Sequence, residues 1–90
     1  MKVIVSRSGG IAGIRRTWVV LVDDQPDRSD WLTLIHTLPW GDAPRTAPQP
    51  DRFVYRICCG SHDVELAEPD LAGPWRDLVE RVQQAAHPAD

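Results

Sequence analysis

Two short β-branched runs, KVIVS at residues 2–6 and RRTWVVLV at residues 15–22, stand on either side of a glycine-rich segment, SRSGGIAGI. This arrangement constrains the fold more than any other feature of the chain. Runs of Val, Ile, Thr and Trp favour the pleated backbone, where branched side chains keep their preferred rotamers. In the second run Trp18, Val20 and Val22 fall on one face and Thr17, Val19 and Leu21 on the other. A strand apolar on both faces implies a central position, or a sheet with one face covered by helices. The connection between the runs is too long for a two-residue hairpin turn, so it is expected to project as a broad loop.

The rest of the chain divides at its prolines and glycines. Asp23, Asp24, Pro26 and Asp27 interrupt the second strand. Asp27 or Ser29 can cap a helix in which Trp31, Ile35 and Leu38 recur at helical spacing, and Pro39 ends it. PWGDAPRTAPQPD, residues 39–51, carries four prolines and reads as a stiff connector. In RFVYRICC, Phe53, Tyr55 and Ile57 alternate with Arg52, Val54 and Arg56, the pattern of a half-buried strand. A turn at 60–63 leads to a last strand beginning at Val64, with Val64 and Leu66 inward. Gly73-Pro74 opens a second helix with the stripe Trp75, Leu78, Val79 and Val82. Residues 84–90 are expected to fray. The order ββαββα predicts an α+β two-layer sandwich: a four-stranded, mainly antiparallel sheet with two helices, over residues 1–90 as one domain.

Composition excludes several classes of function. Thirteen acidic residues against ten basic ones give a net charge of −3, and no basic stripe with interleaved aromatics appears. Nucleic acid is therefore not expected as a partner. No run approaches the ~20 apolar residues of a membrane span. No secretory leader is recognisable, and a cytoplasmic location is expected. Cys58 and Cys59 are adjacent, so a bond between them would be strained; both read as free thiols, one buried and one outward.

Catalytic constellations are weak. His36 lies within a helix and reads as a surface or satisfied helix residue, and His87 lies in the tail. Cys58 and His62 could approach across the turn as a thiol–imidazole pair or half a metal site, but further ligands are not evident. Asp23, Asp24, Asp27 and Asp30 do not follow a calcium-loop spacing and suit a helix start instead. Arg76/Glu80 and Asp77/Arg81 are i,i+4 pairs on a solvated helix face. The glycine segment matches no phosphate-binding motif. Trp18, Trp31 and Trp75 read as core, whereas Trp40 in the connector either lids the core or contacts a partner. No enzyme activity and no cofactor are expected.

The glycine segment has two readings. Its isoleucines can fold back on the sheet edge, or the loop can be a presented surface. In the second case the glycines allow close approach of backbone, the isoleucines anchor, and the arginines donate to carboxylates.

SGGIAGIRR at 8–16, then DRFVYR at 51–56 and PWRDLVERV at 74–82, resemble the emfourin family, and the likeness extends over nearly the whole chain. Emfourins are small protein inhibitors of protealysin and other thermolysin-like zinc metallopeptidases. The resemblance implies such a peptidase as partner, and an inhibitor that is a monomer when free. The target-binding residues it suggests are Ser8, Gly9, Gly10, Ile11, Ala12, Gly13, Ile14, Arg15 and Arg16. Ile11 or Ile14 would fill the apolar pocket beside the zinc-bound water, and Arg7, Arg15 or Arg16 would pair with acids on the cleft wall. The alternative is a non-enzymatic interaction domain that oligomerises through an exposed strand edge or Trp40.

Overall fold

Four strands and two helices form in the expected order in the computed structural model, which describes residues 1–9, 15–42 and 52–86. They are β1 (Lys2–Gly9), β2 (Arg16–Leu21), α1 (Arg28–Thr37), β3 (Phe53–Cys59), β4 (His62–Ala67) and α2 (Pro74–Ala85). Short 3-10 turns follow β2 at Val22–Asp24, α1 at Trp40–Asp42 and β4 at Glu68–Asp70. The sheet order is β2-β1-β3-β4, with every neighbouring pair antiparallel.

Register assigns each strand residue to a face. Val5 pairs with Trp18 on one side and Ile57 on the other, and Val3 with Val20 and Cys59. Tyr55 pairs with Leu66. Paired residues share a face, so these side chains form one apolar layer. Both helices cover it. Trp31, Ile35 and Leu38 of the first helical segment and Trp75, Leu78, Val79 and Val82 of α2 are buried in the same cluster. Burying a large apolar side chain stabilises by about 1.5–3 kcal/mol, so this cluster is the main source of the fold's stability.

Local chemistry explains the boundaries. Asp27 caps α1 through its backbone carbonyl, which accepts from the N–H groups of Asp30 and Trp31. Its carboxylate is used elsewhere: it accepts from Trp31 Nε1 at 3.0 Å and from Arg81 at 3.0 Å. Arg81 thus ties the two helices together, and the expected Asp77/Arg81 pair gives way to Asp27–Arg81. Arg76 and Glu80 do pair. Leu38 turns extended before Pro39 and closes α1. Gly73, at φ +60°, turns the chain into α2, whose first residue is Pro74.

One open alternative is decided and two expectations change. β2 is an edge strand: its inward residues Trp18 and Val20 are buried, but Val19 and Leu21 stand 47% and 48% exposed on the sheet's outer face. The covered inner face, rather than a central position, accounts for the apolar run. β4 begins at His62 rather than Val64, because Gly60 takes a positive φ of 59° and lets Gly60-Ser61 turn the hairpin. Finally, α2 continues to Ala85, two residues into the segment expected to fray; residues 87–90 lie outside the described residues.

Candidate functional site

β1 runs three residues further than its β-branched core. Arg7, Ser8 and Gly9 keep pairing with Tyr55, Val54 and Phe53 of β3, while pairing with β2 stops at Arg7–Arg16. Ser8 and Gly9, expected in the loop, are therefore strand residues. Backbone bonds to β3 outlast those to β2, which shortens the free connection. Gly10, Ile11, Ala12, Gly13 and Ile14 lie outside the described residues.

Gly9 fixes where that connection departs. Its φ is +95°, and a Cβ at this position would lie 2.8 Å from the backbone oxygen of Arg52. Only glycine meets both conditions without strain. The strand leading into the loop is thus pressed against the first residues of β3. Arg52 and Gly9 sit side by side at one end of the sheet, and Phe53 N–H points to Glu68 Oε2 at 3.4 Å.

Arginines collect at this end. Arg7 shares the inner face of β1 with Val3 and Val5, its guanidinium carbon 4.5 Å from the Phe53 ring centre and 5.6 Å from that of Trp18. Two aromatic faces hold the cation, and among the described residues no acid does. Arg16 is directly opposite Arg7 across the strands. Like charges so placed repel. Arg15, Arg16 and Arg52 are exposed, which lessens the repulsion by solvent screening. Elsewhere, Arg28 pairs with Asp23, Arg56 with Asp63, Arg76 with Glu80 and Arg81 with Asp27. Among the described residues, Arg7, Arg15, Arg16 and Arg52 have no carboxylate partner.

The opposite end of the sheet is acidic and tied down. Asp23 and Asp24 follow β2 there, and the amino terminus binds Asp23. That ammonium holds the Asp23 carboxyl below its usual range, with Arg28 adding to the effect. The β3–β4 turn lies at this same end, since β3 runs from Phe53 by the arginines to Cys59 by the turn.

The hairpin does not assemble a thiol site. Cys58 pairs with Asp63 and Cys59 with His62, so Cys58 and His62 face opposite sides of the sheet. The Cys58 Sγ instead lies 3.5 Å from Asp63 Oδ1, and Asp63 is held by both nitrogens of an Arg56 fork at 3.1 and 2.6 Å. That fork lowers the Asp63 pKa and raises that of Arg56. Desolvation, then Asp63, pushes the Cys58 thiol up; burial does the same to Cys59. Neither cysteine has the lowered pKa of a nucleophile. His62 stacks on Trp40 with ring centres 4.6 Å apart and planes 7° from parallel. Trp40 also meets Trp75 edge-on at 5.3 Å and donates Nε1–H to the Ile35 carbonyl at 3.0 Å. It lids the core. Among the described residues no group of three His, Cys, Asp or Glu side chains is placed to hold a metal ion.

The Emfourin family model matches residues 5–83. The chain belongs to the Emfourin family. The matched span runs from the middle of β1 into α2, and so takes in every strand and both helices. Emfourins are an inhibitor family. The chain is also similar to a curated protein of Aromatoleum aromaticum (strain DSM 19018 / LMG 30748 / EbN1) named glutamyl-tRNA reductase, 33% identical over 76 residues. That stretch is 78% of this emfourin and only 18% of the relative's length. No solved structure matches the chain.

The candidate residues read from the sequence include Arg15 and Arg16, with Arg7 beside them, but not Arg52, which the fold brings to the same end of the sheet. The signal was present in DRFVYR: an arginine one residue before a strand that pairs with the glycine-bearing strand shares its end of the sheet.

Proposed function

We propose that this emfourin blocks the cleft of a thermolysin-like, protealysin-type zinc metallopeptidase with the connection between β1 and β2. The observation that supports this most is the collection of arginines, without a carboxylate partner among the described residues, where that connection leaves the sheet. Such donors are matched by carboxylates supplied from outside. Ile11 or Ile14 fills the target's apolar pocket, and Arg7, Arg15, Arg16 and Arg52 meet acids around it.

The fold suits this use. A docking segment loses less entropy when its ends are already fixed. Gly9 is fixed by β3 and Arg52, and Arg16 by β1. The zinc and the catalytic groups belong to the target, so the inhibitor contributes shape, apolar anchors and charge. A peptide held off the attack geometry is bound without being cleaved.

The test is substitution in the loop. Ile11→Asp with Ile14→Asp is expected to abolish inhibition of a thermolysin-like peptidase while circular dichroism and the urea midpoint stay unchanged. Arg15→Ala and Arg16→Ala are each expected to weaken inhibition by about 1–3 kcal/mol. Full inhibition by the doubly substituted protein would remove the loop from the contact.

A further inference from the structure

Among the described residues nothing guards the outer edge of β2, and we propose that it pairs with the same edge of a second copy, joining two sheets into one. Among the described residues, sheet order gives β2 a neighbour on one side alone. The other edge strand, β4, carries Asp63 and Glu65 and is followed by Glu68 and Pro69, features that discourage pairing. β2 has none of these between Thr17 and Leu21: the stretch TWVVL holds no charge and no proline.

The ladder shows which groups are free. Val22 N–H donates to the Met1 carbonyl, so Val22 faces β1 with its backbone polar groups. Antiparallel strands alternate bonded and non-bonded pairs. Trp18 and Val20 therefore also bond to β1, and Thr17, Val19 and Leu21 direct N–H and C=O away from it. These are the residues whose side chains lie exposed on the outer face.

A two-fold axis through Val19 uses every one of these groups. Val19 exchanges both bonds with Val19 of the second copy, and Thr17 does so with Leu21 on either side. The same register brings Trp18 opposite Val20, so inner faces meet inner faces. A shift by one residue at the dyad, to Val20 on Val20, would push the ends of the ladder into the 3-10 turn at Val22–Asp24.

Charge favours the same arrangement. The segment RRTWVVLVDD is basic at its start and acidic at its end. Antiparallel pairing about Val19 brings Arg15 of one copy level with Asp23 of the other, twice over. Parallel pairing in the same register would oppose like charges at both ends. The pairing stands independently of the peptidase reading, although Arg15 is drawn on by both.

Sedimentation velocity over a concentration series, from micromolar to millimolar, tests this. A reversible shift from monomer to dimer is expected. Val19→Lys, which places two ammonium groups together at the dyad, is expected to weaken the dimer by more than about tenfold. Leu21→Lys serves as the second variant should Val19→Lys fold poorly. Amide exchange supplies the register: Thr17, Val19 and Leu21 slow as concentration rises, while Trp18 and Val20 are slow throughout. A chain that stays monomeric to millimolar concentration overturns the proposal. So does a dimer indifferent to both lysine variants, with Thr17, Val19 and Leu21 amides exchanging freely.

Discussion

Gly9→Ala is the substitution whose cost follows most directly from the geometry, with Gly60→Ala as its control. Both glycines have positive φ, +95° and +59°, but their surroundings differ. At Gly60 nothing lies within 4 Å of an added Cβ. Left-handed backbone costs a non-glycine residue about 1–2 kcal/mol. Removing a glycine also narrows the unfolded ensemble, which returns about 0.4–1 kcal/mol. Gly60→Ala should therefore destabilise by about 0.5–1 kcal/mol. Gly9 meets the same backbone term and a second one. A Cβ 2.8 Å from the Arg52 oxygen forces two paired strands apart, because the obstacle is backbone and has no rotamer to escape to. Overpacking of this kind costs about 1–3 kcal/mol. The sum is about 2–4 kcal/mol, against about 5–13 kcal/mol of total stability for a domain of this size. Urea titration followed by tryptophan fluorescence reads the difference, with a Tm lowered by roughly 10–25 °C. Equal costs for the two variants would refute the close approach of β1 to Arg52, and with it the rigid departure point of the loop.

Other outcomes follow from single contacts. Trp31→Phe keeps the core volume largely filled but removes the bond to Asp27, and should cost about 1 kcal/mol or more in urea unfolding. Asp63 has a lowered pKa in the folded state, so its contribution to stability is present above the unfolded carboxyl range, near ~4, and is lost as pH falls through the lower folded value. Asp63→Asn should flatten the acid limb of the urea midpoint against pH and leave the curve above pH ~6 parallel to the original. With a thiol reagent at pH ~8, Cys59, 1% exposed, should react only as fast as the fold opens, and Cys58 faster yet below the rate of a free thiol.

Much of this fold can be read from spacing alone. Alternation in RFVYRICC marks Tyr55 and Ile57 as inward, and the stripe from Trp75 to Val82 marks the buried face of α2, because both patterns follow from backbone period. Two features resist such reading. The placement of β2 at the sheet edge is invisible in RRTWVVLV, since Val19 and Leu21 are as apolar as Trp18 and Val20, and only pairing tells the faces apart. The partners of Asp27 and Arg81 are also hidden: they lie 54 residues apart in sequence, and the i,i+4 rule offered Arg81 a nearer acid in Asp77. The site divides in the same way. Local sequence marks Gly9, Arg15 and Arg16, but that Arg7 rests between Trp18 and Phe53, and that Arg52 abuts Gly9, depends on strand register across distant segments.

Titration of a thermolysin-like peptidase with this protein tests the inhibitor role most directly. With enzyme held well above the dissociation constant, residual activity on a small peptide substrate should fall linearly and reach its floor at one equivalent, with the inhibitor chain recovered intact. Undiminished hydrolysis at large molar excess, or progressive cleavage of the added chain, would contradict it.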